Sequence, residues 1–324
     1  MIITRTPFRI SFTGGGTDLP GYYSTGYGAV VNATIDKYIY LTVNKRFDKS
    51  IRVSYSKTEI VDRVEDLEHD IVKAALKMVG ITEGVEITSI SDIPAGTGLG
   101  SSSSFAVGLI NALYTYVGLQ LSAHELAEKA CQLEIEVLKK PVGKQDQFAA
   151  AYGGINYFRF NADGTVGYRP IKMPPPELEK MQEKLSIWYT GINRSAEVIL
   201  AQQAKDTLNK IDVLDYMKEQ ADMMAEELCN RGFSETFGES LHNGWQKKKS
   251  ITRLISNSDI DRLYEAALDA GARGGKILGA GGGGFLLFYC DAEKTEALRD
   301  ALGLEEMKFK ITKHGSRVVY FSEN

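Results

Sequence analysis

Residues 1 to about 60 run through apolar stretches rich in β-branched and aromatic residues, and turn residues separate the runs. IITRTPFRISF, GAVVNATI, KYIYLTVNKRF and SIRVSYS therefore predict strands. In EDLEHDIVKAALKMV, residues 65–79, apolar positions recur at helical spacing and predict a helix. GVEITSIS predicts a strand, and FAVGLINALYTYVG, mostly apolar, predicts a buried helix. A further helix is expected to start at Ser122, because SAHE places Glu125 three residues beyond a serine, as a capping box requires. Its apolar stripe is Leu126, Ala127, Ala130, Leu133, Val137 and Leu138. The run Pro174 to Pro176 predicts a stiff, extended segment that is neither helix nor inner strand, with a domain boundary nearby. KLSIWYT predicts a strand. A long helical region is expected from about Ser195 to Gly271, interrupted around Gly232, Gly238 and Gly244. KILGAGGGGFLLFYC predicts strand, glycine turn, strand. Strands and helices mix without strict βαβ alternation. The expected fold class is α+β, in two domains, residues 1–172 and 173–324.

Composition narrows the function classes. The chain has 324 residues, 43% hydrophobic and 25% charged, with a formal net charge of -4. That allows a real core and supplies neither a basic field for nucleic acid nor a strongly acidic tail. An anionic ligand must be held by local groups. Cys131, Cys229 and Cys290 are far apart, so no disulfide framework or zinc cluster is indicated. MIITRTPFRI has no signal-type apolar region and no apolar run reaches membrane-spanning length, so a cytoplasmic location without membrane partners is expected.

Candidate chemistry sits in four clusters. PAGTGLGSSSSFAVG, residues 94–108, places Gly96, Gly98 and Gly100 at alternate positions before Ser101 to Ser104 and an apolar run. Glycines let a backbone approach a ligand, and the first N–H groups of a helix lack intrahelical partners. Together they make an anion site, with serine hydroxyls able to ligate Mg²⁺. A flexible N-capping linker would use the same residues. No lysine follows Gly100, so this is not a Walker A loop. TPFRISFTGGGTDLPGYY, residues 6–23, carries Arg9, then Gly14, Gly15 and Gly16, then Thr17 and Asp18. Asp18 is a carboxylate beside exposed backbone, as a sugar hydroxyl needs, while a hairpin turn would account for the glycines alone.

In KKPVGKQDQFAAAYGG, residues 139–154, Asp146 follows a Pro/Gly turn and is either a helix N-cap or a functional carboxylate. Glu134 has Ala130, Cys131, Val137 and Leu138 as its helical neighbours, so it lies on the apolar stripe, whereas Glu136 faces solvent. A buried carboxylate needs a cation, either a metal or an internal Arg or Lys. GAGGGG, residues 279–284, fits G-x-G-x-x-G at Gly279, Gly281 and Gly284. A strand-type run follows it instead of a helix, so the dinucleotide reading fails. It is a glycine hairpin or a backbone that approaches a ligand held elsewhere.

In this order the motifs resemble those of the GHMP kinase superfamily. Residues 6–18 look like its first motif, 94–104 its second, P-x-x-x-G-L-G-S-S, and 276–286 its third. The resemblance implies an ATP-dependent kinase with a ribosomal-S5-like N-terminal domain and a ferredoxin-like α+β C-terminal domain. It implies ATP binding by Pro94, Gly96, Thr97, Gly98, Leu99, Gly100, Ser101, Ser102 and Ser103. Mg²⁺ is implied at Glu134 with Ser101 or Ser102. Asp146 matches the catalytic aspartate, and Arg9 the basic residue that pairs with it and polarises the acceptor hydroxyl. Asp18 matches the sugar-binding aspartate of galactokinase-like members. Galactokinases carry Gly-Glu-His-Thr-Asp where this chain has Gly14 to Asp18, so the pair that grips galactose is absent. GGGTDLP, TGINRSAEVIL and KPVGKQDQ look most like kinases that phosphorylate the anomeric hydroxyl of D-glycero-D-manno-heptose 7-phosphate. Gly14, Gly15, Gly16, Thr17, Asp18, Gly281 and Gly282 are then expected on the small-molecule substrate, with Lys144 and Arg194 as candidate cations for its phosphate. The rivals are an L-fucose or galactose-like 1-kinase, and a non-catalytic sugar- and ATP-binding sensor.

Overall fold

The computed structural model describes residues 1–192, 196–206 and 210–322. The chain opens with two long antiparallel strands, β1 (Ile2–Thr13) and β2 (Tyr27–Lys45), joined by a glycine-rich loop and the one-turn helix α1 (Pro20–Tyr23). GAVVNATI and KYIYLTVNKRF, expected as two strands, are one continuous strand. Its two halves have different outer partners. Residues 39–45 pair with β5 (Val85–Ser91), and residues 27–33 with β6 (Ile155–Asn161). β3 (Ile51–Ser54) joins β5 in parallel and β4 (Thr58–Val61) antiparallel, and β7 (Val166–Pro170) extends the sheet beyond β6. The helices of this part are α2 (Asp70–Val79), α3 (Ser101–Tyr116), α4 (Ala123–Cys131) and α5 (Gln145–Tyr152). The capping box expected at Ser122 and Glu125 is present.

The second part holds α6 (Pro175–Lys184), β8 (Leu185–Tyr189), α7 (Ala196–Asp206), α8 (Ile211–Asn230), α9 (Thr236–Lys249) and α10 (Ser258–Asp269). After these come β9 (Ala272–Ile277), β10 (Phe285–Cys290), α11 (Thr295–Leu302) and β11 (Glu305–Glu306). The smaller sheet runs β11-β8-β10-β9. The final strand, β12 (Arg317–Phe321), returns to pair with β1. A single cut after residue 172 therefore does not separate the two sheets, because the last strand completes the first one.

Two expectations fail for stated reasons. Pro175 and Pro176 are not extended; they fill the first turn of α6, where a missing N–H costs nothing because no carbonyl awaits it. Gly238 and Gly244 do not interrupt a helix; both lie inside α9. A Cβ on Gly238 would stand 2.8 Å from the Tyr289 ring, and one on Gly244 2.5 Å from Gln220 Oε1. These glycines serve close packing. Gly232, by contrast, does sit at a break, between α8 and α9.

The burial of FLLFYC shows how the layers meet. Leu287 and Tyr289 face the core shared with the large sheet, while Leu286 and Phe288 face the second core with Trp188, Trp245 and Tyr264. A strand with period-two side chains that is covered on both faces must be apolar throughout. Helix α8 is pinned to the first sheet by polar contacts as well. The hydroxyls of Tyr27 and Tyr157 donate to the two oxygens of Asp222 at 2.7 and 2.6 Å. No helix of the described residues is long and apolar enough to cross a membrane. Asp222→Ala strands both phenols and is expected to lower the unfolding free energy by about 1.5–3 kcal/mol, with Tyr157→Phe costing less, as urea denaturation would measure.

Candidate active site

Arg9 comes from the middle of β1 and is 3% exposed. Its Nε and Nη2 donate to the two oxygens of Asp146 at 2.7 and 2.6 Å, and its Nη1 donates to the Gly98 carbonyl at 2.7 Å. The Arg9 backbone N–H also donates to Leu99 O at 3.1 Å. One residue thus ties β1, α5 and the 96–100 loop together. Asp146 is not the N-cap of α5 but lies in its first turn, where the helix dipole favours an anion. The capping carboxylate is Asp18, which accepts from Gln145 N at 3.2 Å and Gly16 N at 2.9 Å. Burial, then the charge of Asp146, raises the pKa of Asp18, against the pull of those backbone donors.

The 96–100 loop has left-handed backbone at Gly96, Gly98 and Gly100, and Gly100 is the N-cap of α3 without any side-chain cap. The amides that open this 16-residue helix therefore lack a side-chain acceptor. Leu278–Gly284, between β9 and β10, packs against the loop backbone to backbone. A Cβ on Gly98 would meet Leu278 O at 2.4 Å, and one on Gly279 would meet Gly98 Cα at 2.6 Å. Neither contact survives any other residue, and this is why glycine stands at both positions.

Glu134 is fully buried, as its place on the apolar stripe implied. It lies in a π-helical turn, Gln132–Val137, that continues α4. Ser102 Oγ and Ser103 Oγ donate to its two oxygens at 2.8 and 2.7 Å, and Gln147 Nε2 donates at 2.7 Å. Burial raises its pKa despite these donors. The ring of a carboxylate and serine hydroxyls is a hard-oxygen set, which suits Mg²⁺. The serines line the cavity and Glu134 stands behind them, so Ser102 is the nearer oxygen to any ligand there.

A cavity of about 170 Å³ lies among these groups, lined by Arg9, Gly15, Gly16, Asp18, Gly100, Ser101 to Ser103 and Asp146. Gly96, Ser101 and Ser102 also border a second cavity of about 670 Å³ with Pro94, Tyr55, His69 and Phe105. His69 stacks on Phe105 with ring centroids 5.0 Å apart, and burial lowers its pKa, favouring the neutral ring.

Several predicted site residues stand elsewhere. Leu99 and Thr97 are buried side chains, so only their backbone can face a ligand. Gly14 and Thr17 build the turn, with the Thr17 hydroxyl bonded to the backbone of Gly14 and Ala29. Gly281 packs on Ile255 and Gly282 N–H donates to Ile255 O; from this loop Gly279 and Ala280 line the cavity instead. Lys144 donates to Gly164 O in a different depression, among Glu125, Glu128, Glu136 and Asp163, a poor setting for a phosphate. Arg194 lies outside the described residues. Sequence reasoning missed Lys140, Gln145, Gln203 and Lys248, which all line the cavity. For Lys248 a signal existed: it follows Leu241 and Trp245 at helical spacing on the buried face of α9.

The N-terminal domain model of GHMP kinases matches residues 59–154, and their C-terminal model matches 224–308. The chain is 33% identical to the D-glycero-alpha-D-manno-heptose 7-phosphate kinase of Campylobacter jejuni, over 97% of each chain. The chain belongs to the GHMP kinases. GHMP kinases are ATP-dependent phosphotransferases, and this one is an enzyme of that class. The galactokinase of Pyrococcus furiosus is 26% identical over 93% of this chain and 92% of its own. Among solved structures, a Campylobacter jejuni protein superimposes with TM-score 0.79 at 32% identity, covering 98% of this chain and 97% of its own. A D-glycero-D-manno-heptose 1-phosphate kinase from Bacteroides thetaiotaomicron reaches TM-score 0.83 at 24% identity with full coverage of both chains, which speaks to the two-domain GHMP fold.

Two substitutions test this construction by thermal and urea unfolding. Glu134→Ala leaves Ser103 and Gln147 as buried donors without their acceptor and is expected to cost about 2–4 kcal/mol. Gly98→Ala forces a side chain into left-handed backbone against Leu278 O and is expected to cost about 1–3 kcal/mol.

Proposed function

We propose that this GHMP kinase transfers the γ-phosphoryl group of ATP to the anomeric hydroxyl of D-glycero-D-manno-heptose 7-phosphate. The product is the 1,7-bisphosphate, an intermediate for nucleotide-activated heptose. Support for the acceptor comes from the full-length 33% identity to the Campylobacter jejuni enzyme. Support for catalysis comes from the pair of buried Arg9 with half-buried Asp146, which lines the cavity together with the uncapped start of α3.

In this reading the triphosphate lies along the 96–102 backbone, where orphan N–H groups and the helix dipole meet its charge. The adenosine occupies the larger cavity, where Tyr55, His69 and Phe105 offer aromatic surface. Ser102, with Glu134 behind it and Ser101 beside it, would hold Mg²⁺, which neutralises charge on the β- and γ-phosphates. The acceptor sugar enters the smaller cavity, against Gly15, Gly16 and Asp18. Asp146 accepts the proton of the attacking hydroxyl. A carboxylate has about four lone-pair sites, and Arg9 occupies two of them, so acceptor capacity remains on the cavity side. Arg9 fixes the carboxylate's angle and keeps the 96–100 loop at a constant distance from it. Most of the rate gain then comes from alignment and charge neutralisation, as phosphoryl transfer requires.

A cytoplasmic enzyme with a small-molecule sugar substrate follows from this reading. Asp146→Asn should fold, bind nucleotide and lose roughly 10²–10⁴-fold in kcat, the usual weight of a general base. Near-wild-type turnover would remove Asp146 from that role. ADP release measured with heptose 7-phosphate, L-fucose, galactose and mannose decides the acceptor. Preference for L-fucose would replace the heptose assignment by the fucokinase one, and binding of ATP and sugar without ADP would support a sensor.

A further inference from the structure

The acceptor side of the cavity is bare where a first-motif side chain would stand. Gly15 contributes no atoms beyond its backbone. A Cβ there would lie 3.6 Å from Gln145 Nε2, 3.7 Å from Ser11 Oγ and 3.8 Å from Lys248 Nζ. Polar groups from three other elements therefore converge on the space that Gly15 leaves open. One of them is charged. Lys248 comes from the last turn of α9 and is 5% exposed. Its ammonium donates to Gly279 O at 2.6 Å, which uses one of three N–H groups. Among the described residues no carboxylate closes an ion pair with it. Asp146 is engaged twice by Arg9, and Asp18 accepts from two backbone amides. A buried ammonium with a single neutral acceptor is costly, and the remaining open direction is the cavity that it lines.

We propose that Lys248 is an acceptor-binding residue: its ammonium donates to sugar oxygens beside the reacting hydroxyl and sets acceptor preference in place of the missing 14–16 side chains. The inference rests on the sugar-kinase reading above and deepens it. Its ligand is an oxygen-rich, polyhydroxylated acceptor, because an ammonium with two open donors is satisfied by hydroxyl or ring oxygens and not by an apolar group. Its closeness to Gly15, with Asp18 lining the same cavity, puts Lys248 on the acceptor wall.

The competing role is a latch. Lys248 holds Gly279, and Gly279 packs on Gly98, so a purely structural lysine would act through the phosphate loop. The two roles predict different kinetics. With heptose 7-phosphate as the varied acceptor, Lys248→Met is expected to raise the acceptor KM at least about tenfold while leaving the KM for ATP within about twofold. Lys248→Arg should recover part of the loss. A latch would raise the KM for ATP in step, and that result, or an unchanged acceptor KM, overturns the inference.

The wild-type enzyme supplies an arm that needs no variant. Burial and the nearby Arg9 lower the Lys248 pKa to about 8, with Asp18 and Asp146 pulling the other way; Lys276, close by, is itself pushed well down by burial and by the charge of Lys248. The charged form is therefore lost as pH rises through about 8. Acceptor kcat/KM should fall on that limb and the KM for ATP should not; a flat acceptor profile from pH 7 to 9.5 would contradict the assignment. Wild-type turnover with an indifferent Lys248→Met variant sinks this inference alone. No wild-type turnover with any of the four sugars sinks the sugar-kinase reading and this inference with it.

Discussion

The guanidinium of Arg9 is the interaction on which the site depends. It is buried on β1, closes a two-point ion pair with Asp146 on α5 and holds the Gly98 carbonyl of the loop before α3. Desolvating a guanidinium and a carboxylate is expensive, and only matched geometry with full hydrogen bonding offsets it. Here the geometry is matched on Arg9's side, while Asp146 keeps about a quarter of its side chain open to the cavity. That asymmetry suits the pair to chemistry. One partner is locked in place, and the other faces the ligand.

The two glycine loops form the second constraint. They belong to different sheets, yet they touch through their backbones at Gly98 and Gly279 and at Thr97 and Gly284. At these positions backbone meets backbone, so the distance between the loops there is set by main-chain van der Waals radii and can vary little. The second sheet is itself rooted in the first core by Leu287 and Tyr289. A displacement of the smaller sheet is thereby transmitted to the start of α3. The buried Glu134 cluster holds the other side of that helix start through Ser102 and Ser103. The wider π-helical turn places Glu134 beneath those serines and Glu136 in solvent.

The glycines at 14–16 have a different logic from those at 96–100. Gly14 is excluded from carrying a side chain by Ala29 O, at 1.9 Å from a built Cβ, and belongs to the turn. Gly15 is not sterically excluded in that way; its emptiness admits groups from β1, α5 and α9. The same motif thus mixes a folding requirement with a recognition requirement, and only the surroundings of each glycine separate them. Lys144 shows the reverse case. It lies within a motif, next to the residues that matter, yet its side chain turns into an acidic depression.

Much of this was legible in the chain. Period-two and period-3.6 patterns predicted most elements, and the capping box at Ser122 and the apolar stripe carrying Glu134 were local signals that tertiary packing kept, except at Val137, which the π-helical turn leaves exposed. The glycine entry to α3 and the strand after GAGGGG were also legible, the first from backbone chemistry and the second from the apolar run that follows, while the missing side-chain cap of α3 came from the structure. Local patterns could not give the partners: the family resemblance paired Arg9 with Asp146, but they are 137 residues apart and meet only when β1, α5 and the phosphate loop have packed. Nor could local patterns tell that Gly238 and Gly244 sit within a helix, since glycine for close approach and glycine for a break look alike in one dimension. The proline run misled for a similar reason: a helix's first turn tolerates proline as well as an extended segment does. Lys248 carried a local signal in its spacing from Leu241 and Trp245, but a lysine among lysines reads as surface, and burial against Gly279 and the cavity is what sets it apart. Local hydrogen bonding and periodicity are written into neighbouring residues, whereas desolvation and charge pairing are decided by whatever the fold brings alongside.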